Sequence, residues 1–234
     1  MSIDSRRVWL YRISLLALIF IVWENAGRAS NDVFFVLGTP TAVLKELYVL
    51  VMQDRFHMHF IYTAGEALSG LLLGTITGSL LGLSLWLSRT AAEVARPFLL
   101  SLGTFPVFAF APLMIIWFGI GFFMKAALAF LAVLFVAFSK SYEGATSVAE
   151  EHIDTLRAMR ASKPQIFRKI IVPGSLESVL GNMGLNVGLA LLGAFIGEFI
   201  AAEQGLGYLI LQAGNVYDVP RCCNVRYYYS RNYP

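Results

Sequence analysis

The sequence predicts an all-α membrane protein, a polytopic helical bundle. Two observations carry that reading. Of 234 residues, 57% are hydrophobic and only 14% are charged, and the mean hydropathy is +0.66. A soluble domain carries about a quarter charged residues, and one of this size leaves too much surface exposed to hide so much apolar area from water. In addition, several stretches near span length run without charge. A helix rising about 1.5 Å per residue needs roughly 20 apolar residues to cross a hydrocarbon core of about 30 Å. The same composition excludes an ordinary soluble enzyme and a disordered chain. The 18 basic and 15 acidic residues give +3, too little to imply a nucleic-acid partner.

Five spans are expected, at about 8–26, 67–87, 98–118, 121–139 and 179–201. The first joins Val8–Leu10 to the apolar run Ile13–Trp23 past Arg12. Because Arg6, Arg7 and Arg12 precede that run, a cleaved signal peptide is the other reading, although Glu24, Asn25 and Arg28 interrupt any cleavage site. Residues 41–58 do not reach span length without charge. Val43, Leu44, Leu47, Val51 and Phe56 fall near helical spacing beside Lys45, Glu46, Gln53 and Asp54, as in an amphipathic helix on the outer face. His57 and His59 flank Met58 there, but no carboxylate or thiol cluster joins them, so no metal is expected.

Residues 67–92 contain one charge, Arg89. Gly70, Gly74, Gly78 and Gly82 recur every four residues within them, on one helix face, where another helix backbone can approach closely. Gly181, Gly184, Gly188, Gly193 and Gly197 suggest the same role in the last span. Residues 97–124 and 126–139 carry no charge, with Lys125 expected to snorkel between them. Pro97, Pro106 and Pro112 remove backbone donors in or beside the third span, so kinks are expected there. With the N-terminus inside, the inner segments collect eleven basic residues, from Arg6 to Lys169, and the outer ones four: Arg28, Lys45, Arg55 and Lys125. The positive-inside rule selects this orientation.

No charge falls deep within a span. Glu66, Glu198 and Glu203 are at span ends, and Glu198 and Glu203 read as solvated or structural. That counts against a proton- or sodium-coupled carrier. No paired-carboxylate or Ser/His/Asp set and no GxxxxGK[ST] loop is present, and Cys222 and Cys223 are adjacent, without metal spacing. No catalytic residue, cofactor or metal is expected, and the chain is not read as an enzyme.

The polar stretch 140–178 is long for a connection between spans and is not low-complexity. Glu150, Glu151 and Asp154 precede Arg157, Arg160 and Lys163, the order that a helix dipole favours. Pro164 starts a second short helix with Ser162 as its cap. Ile166, Phe167, Ile170 and Ile171 form its apolar stripe beside Arg168 and Lys169, and it is expected to end at Pro173. Such a pair of helices makes a surface for a cytosolic partner or, equally, lies on anionic lipid.

The loop resembles the "EAA" loop of binding-protein-dependent ABC transporter permeases, E-A-A, three residues, Gly, nine residues, Ile, one residue, Leu-Pro. Ile170, Ile171, Val172 and Pro173 hold the end of that pattern. Counting back, Asp154, Thr155 and Leu156 hold the E-A-A positions, and Arg160 holds the glycine, followed by Ala161 and Ser162. If the turn needs a positive φ, arginine is costly there. Further pieces are similar to the nitrate, sulfonate and taurine branch: Thr39-Pro40; Phe105-Pro106 with Ala111-Pro112-Leu113; Trp117 to Gly121; and Gly197 to Glu203 with Gly205 to Ile210. The resemblance implies a type I importer permease in the bacterial inner membrane, with the N-terminus cytoplasmic. Two permeases, as a homodimer, form the pathway. Each docks its loop (about 147–169, with Phe167 among the contacts) on a cytosolic ATPase, and an external solute-binding protein delivers a small solute. Nitrate, sulfonate, taurine and pyrimidine precursors all stay open as that solute. The alternatives are an inactive or structural permease remnant and an ATP-independent carrier.

The permease domain is placed at 1–220. The resemblance implies a sixth span after it, yet residues 221–234 are polar and tyrosine-rich. A shifted reading frame near Arg221 is the expected cause. Suitable codons for Cys222 to Arg226, read one nucleotide later, give Ala-Ala-Met-Ser-Val, and TAT tyrosine codons give isoleucine. A divergent tail is the other reading.

Overall fold

Charge-free stretches have no way to satisfy their backbone in lipid except by closing it internally, and helices do so. The computed structural model describes residues 5–30, 33–34, 38–52, 56–102, 106–201 and 203–216, and all the regular elements among them are helical. The chain divides into residues 1–57 and 58–234.

In the first unit, α1 (Ser5–Gly27) is apolar over Val8–Gly27 and long enough to cross a membrane. Its end is tied to the start of α2 (Pro40–Met52). Glu24 accepts the Thr41 N–H at 3.2 Å and the Thr41 hydroxyl at 2.7 Å, and pairs with Arg28. Of the outer helix expected over 41–58, the structure describes the part up to Met52. Residues 53–55 lie outside the described residues, and 56–58 belong to the next helix.

In the second unit the core is three helices: α3 (Phe56–Leu85), α6 (Phe122–Thr146) and α10 (Met183–Ala201). The glycines of α3 meet α6 in a fixed register. Gly70 faces Ala129, Gly74 faces Val133, Gly78 faces Ala137 and Gly82 faces Ser141, each pair 59 residues apart, so α3 and α6 run parallel. A Cβ on Gly74 would lie 2.8 Å from Val133 Cβ, and one on Gly78 would lie 2.6 Å from the Leu134 carbonyl oxygen. On the far side of α6, Gly193 meets Ala129 and Gly197 meets Lys125, so α10 runs antiparallel. Small residues let helix backbones gain dispersion contact where lipid offers no hydrophobic drive between helices. Gly181, Gly184 and Gly188 do not share this role, because nothing lies within 4 Å of a Cβ added to any of them.

Between α3 and α6 the chain is not the single span expected over 98–118. α4 (Arg89–Leu102) contains Pro97, Val107–Phe110 is a 3-10 turn, and α5 (Ala111–Phe118) has only eight residues. Pro106 precedes the 3-10 turn and Pro112 sits in the first turn of α5, positions where a missing N–H leaves no bond broken. Among the described residues four helices are long and apolar enough to span, with Val107–Phe118 a shorter apolar segment. Five spans were expected. Residues 217–234, which include the expected frame-shifted tail 221–234, lie outside the described residues.

Candidate functional site

The polar stretch after α6 folds as α7 (Glu150–Ala158), α8 (Lys163–Ile166), a π-helical turn (Phe167–Ile171) and α9 (Val172–Gly181). Glu150 and Glu151 occupy the first turn of α7 and Arg157 the last, in keeping with the helix dipole. At α8 the Gln165 side chain accepts the Ser162 N–H at 2.7 Å, half of a capping box. Pro173 does not end the helix. It stands in the first turn of α9, where its ring fits, and the π-helical turn carries the chain continuously from α8 into α9.

The turn between α7 and α8 is closed by two backbone bonds. The Ala161 N–H donates to the Leu156 carbonyl at 3.0 Å and the Arg160 N–H to the Arg157 carbonyl at 2.9 Å. That is a Schellman motif, and it requires the residue at Arg160 to be left-handed. Arg160 has φ +57°, the only positive φ outside glycine among the described residues. The turn thus demands the backbone conformation that glycine adopts freely and arginine does not.

The loop is two-faced. Leu156, Ala161, Phe167 and Ile170 are half-buried around Leu83, Ala145, Ile153, Ile166 and Ile171. Phe167 stacks on Trp86 at 6.1 Å between ring centroids, and Lys163 Nζ donates to the Leu87 carbonyl at 2.7 Å. The stripe Ile166–Ile171 packs the loop against the ends of α3 and α6. Asp154, Thr155, Arg160, Ser162 and Pro173 are exposed, with Asp154 paired to Arg157 at 2.9 Å. Met159, which the sequence pattern did not single out, stands at the tip 73% exposed.

At the opposite end of the three-helix core lies a polar junction absent from the sequence reading. Glu66, Lys125 and Glu198 are buried, the two acids completely. Lys125 forms an ion pair with Glu66 and contacts the Gln204 carbonyl at 3.5 Å, so it does not snorkel. Glu198 accepts the Thr63 hydroxyl at 2.6 Å and the Gly207 N–H. The Leu206 N–H donates to Thr63 Oγ1 at 2.8 Å, and the Gly205 N–H to His59 Nδ1 at 3.0 Å. Three successive donors at the start of α11 (Leu206–Val216) thus find acceptors on α3 and α10. Added Cβ atoms on Gly205 and Gly207 would strike the Glu198 carboxylate, which explains both glycines. Glu198 is structural and dry, not solvated. Among the described residues no three His, Cys, Asp or Glu side chains are grouped to hold a metal ion.

A bundle of span-length helices, braced by a glycine ridge and carrying one folded polar loop, is a polytopic helical membrane protein in its architecture. Residues 70–223 match the model of the family described as binding-protein-dependent transport system inner membrane component, and the chain belongs to that family. It is similar to the formylaminopyrimidine transport permease protein ThiX of Halalkalibacterium halodurans (29% identical, 87% of this chain and 80% of that one). It is similar also to the putative aliphatic sulfonates transport permease protein SsuC of Bacillus subtilis (27%, 89% and 76%). A third relative is the taurine transport system permease protein TauC of Escherichia coli (28%, 90% and 78%). The chain is therefore a membrane-embedded permease component of the ABC importer kind and not an enzyme; ATP hydrolysis belongs to a partner subunit.

Proposed function

We propose that this permease couples to a separate cytosolic ATPase through the exposed face of residues 147–169 and moves a small nitrate-, sulfonate- or taurine-like solute. Two copies form the pathway, a solute-binding protein delivers the solute, and the N-terminus is cytoplasmic. The observation that carries the coupling is the two-faced loop. Leu156, Phe167 and Lys163 bind it to the ends of α3 and α6, while Met159, Asp154 and Arg157 face outward. A push on α7 is then passed to two core helices, because packed interiors do not absorb displacement. Met159 is an exposed apolar knob within a charged surface, the kind of side chain that anchors an interface. The solute class rests on the printed names of the relatives, two of which concern sulfonates or taurine.

The test is co-purification with the ATPase subunit. Wild type retains it. Met159→Asp and deletion of 147–169 lose it by tenfold or more. Retention by the deletion variant, or no retention by wild type, refutes coupling through this loop. Uptake of labelled taurine that unlabelled sulfonates fail to compete would refute the solute class and leave the coupling untouched.

A further inference from the structure

The geometry points to a binding site for the phosphate headgroup of an anionic phospholipid between the loop and the spans. A cavity of about 750 Å³ lies there, within the roughly 300–1,000 Å³ of small-molecule sites. It is bounded by the ends of α3 and α6, the start of α4 and the inner side of α7 and α8. Three cations line it, Arg89, Arg157 and Lys163, against one carboxylate, Glu150, a net charge of +2.

Those cations are not consumed by one another's partners. Lys163 spends one donor on the Leu87 carbonyl and lies 5.8 Å from the Trp86 ring, which leaves two N–H groups. Arg157 meets Asp154 at 2.9 Å, but both side chains are about 65% exposed, so water screens the pair. Arg89 begins α4, where its cation and the helix's free N–H groups both favour an anion.

The lining decides between a lipid and a free phosphate. Leu85, Val148, Ile153 and Ile166 form its inner side, buried or half-buried, while Arg89, Arg157 and Lys163 are exposed. An apolar lining with exposed cations suits an amphiphile, whereas a hydrated phosphate would leave that lining wet. The place agrees: α3 ends at Leu85 and α6 at Thr146, so the cavity lies at the ends of two span-length helices, beside Trp86, a residue type that membrane interfaces favour. Basic pockets between spans on the cytoplasmic side attract anionic headgroups. A bound headgroup bridges Arg89 on the spans and Arg157 on the loop, and so bears on how firmly the loop is seated. The cytoplasmic placement rests on the orientation proposed above, but the site does not depend on the ATPase reading, since its test uses the permease alone.

The full chain, purified in mild detergent, is titrated with phosphatidylglycerol, with phosphatidylcholine and with inorganic phosphate, and adducts are counted by native mass spectrometry. Phosphatidylglycerol is expected to persist at least tenfold better than phosphatidylcholine, and phosphate not to displace it. Arg89→Gln combined with Arg157→Gln should lower its retention by tenfold or more. Arg168→Gln with Lys169→Gln, the same charge change outside the cavity, should leave it intact. Equal retention of the two lipids, displacement by phosphate, or equal loss in both double variants would each overturn the assignment. The conservative pair Arg89→Lys and Arg157→Lys should retain the lipid, which separates lost charge from lost folding.

Discussion

Arg160→Gly should stabilise the loop, against the usual direction of a change to glycine. The left-handed conformation at φ +57° costs an L-residue about 1–2 kcal/mol. Glycine avoids that strain but adds unfolded-state entropy of about 0.4–1 kcal/mol. The net gain is about 0.5–1 kcal/mol. In a chain of this length about 1 kcal/mol shifts Tm by roughly 2–4 °C, so the variant should melt about 1–4 °C higher in detergent. Hydrogen exchange gives a local reading: the Ala161 N–H, which closes the turn onto Leu156, should be protected roughly two- to fivefold more strongly. Arg160→Ala is the control, because it removes the charge and keeps the Cβ. If alanine stabilises as much as glycine, the gain comes from charge and the strain argument fails. A lower Tm for Arg160→Gly would also refute it.

Gly78→Ala should destabilise by about 1–3 kcal/mol, since its Cβ would press on the Leu134 carbonyl in the α6 backbone. Gly188→Ala, in open space on the same kind of helix, should instead gain about 0.5–1 kcal/mol; thermal melts of both variants decide. Lys125→Met leaves Glu66 buried without its cation and should destabilise by about 3–5 kcal/mol, and adding Glu66→Leu should recover most of that loss in the same melt. Sequencing the gene across Arg221–Pro234 should show codons that yield an apolar span one nucleotide later; codons that do not would reject the shifted frame.

How much of this was legible from residues alone varies with the distance over which the cause acts. The glycine ridge of α3 is visible because four-residue steps place side chains on one face, whatever packs there. The Arg160 position is visible only through the resemblance: counting back from Pro173 along the family's pattern puts its glycine there. Glu66 extends the same series, four residues before Gly70, and Lys125 stands four before Ala129 on α6. That common 59-residue offset was the available signal for the ion pair, but it acquires meaning only once α3 and α6 are known to be parallel. The loop shows the opposite case. Its apolar stripe was legible, yet whether the stripe faces a partner or the bundle depends on Trp86 and Leu83, which precede it by some 80 residues.

By itself, the sequence determined the class. Apolar length, internal satisfaction of the backbone and sorted charge leave a helical membrane protein as the stable solution, and the spacing of the loop points to its family. Only the tertiary structure decided which charges are dry. Burial of Glu66, Lys125 and Glu198 arises where three helices and the start of a fourth converge: Lys125 meets Glu66 from 59 residues away and Thr63 meets Glu198 from 135, while Glu66 Oε2 has no hydrogen-bond partner among the described residues. Desolvation and its compensation are properties of that meeting, and no single segment contains them.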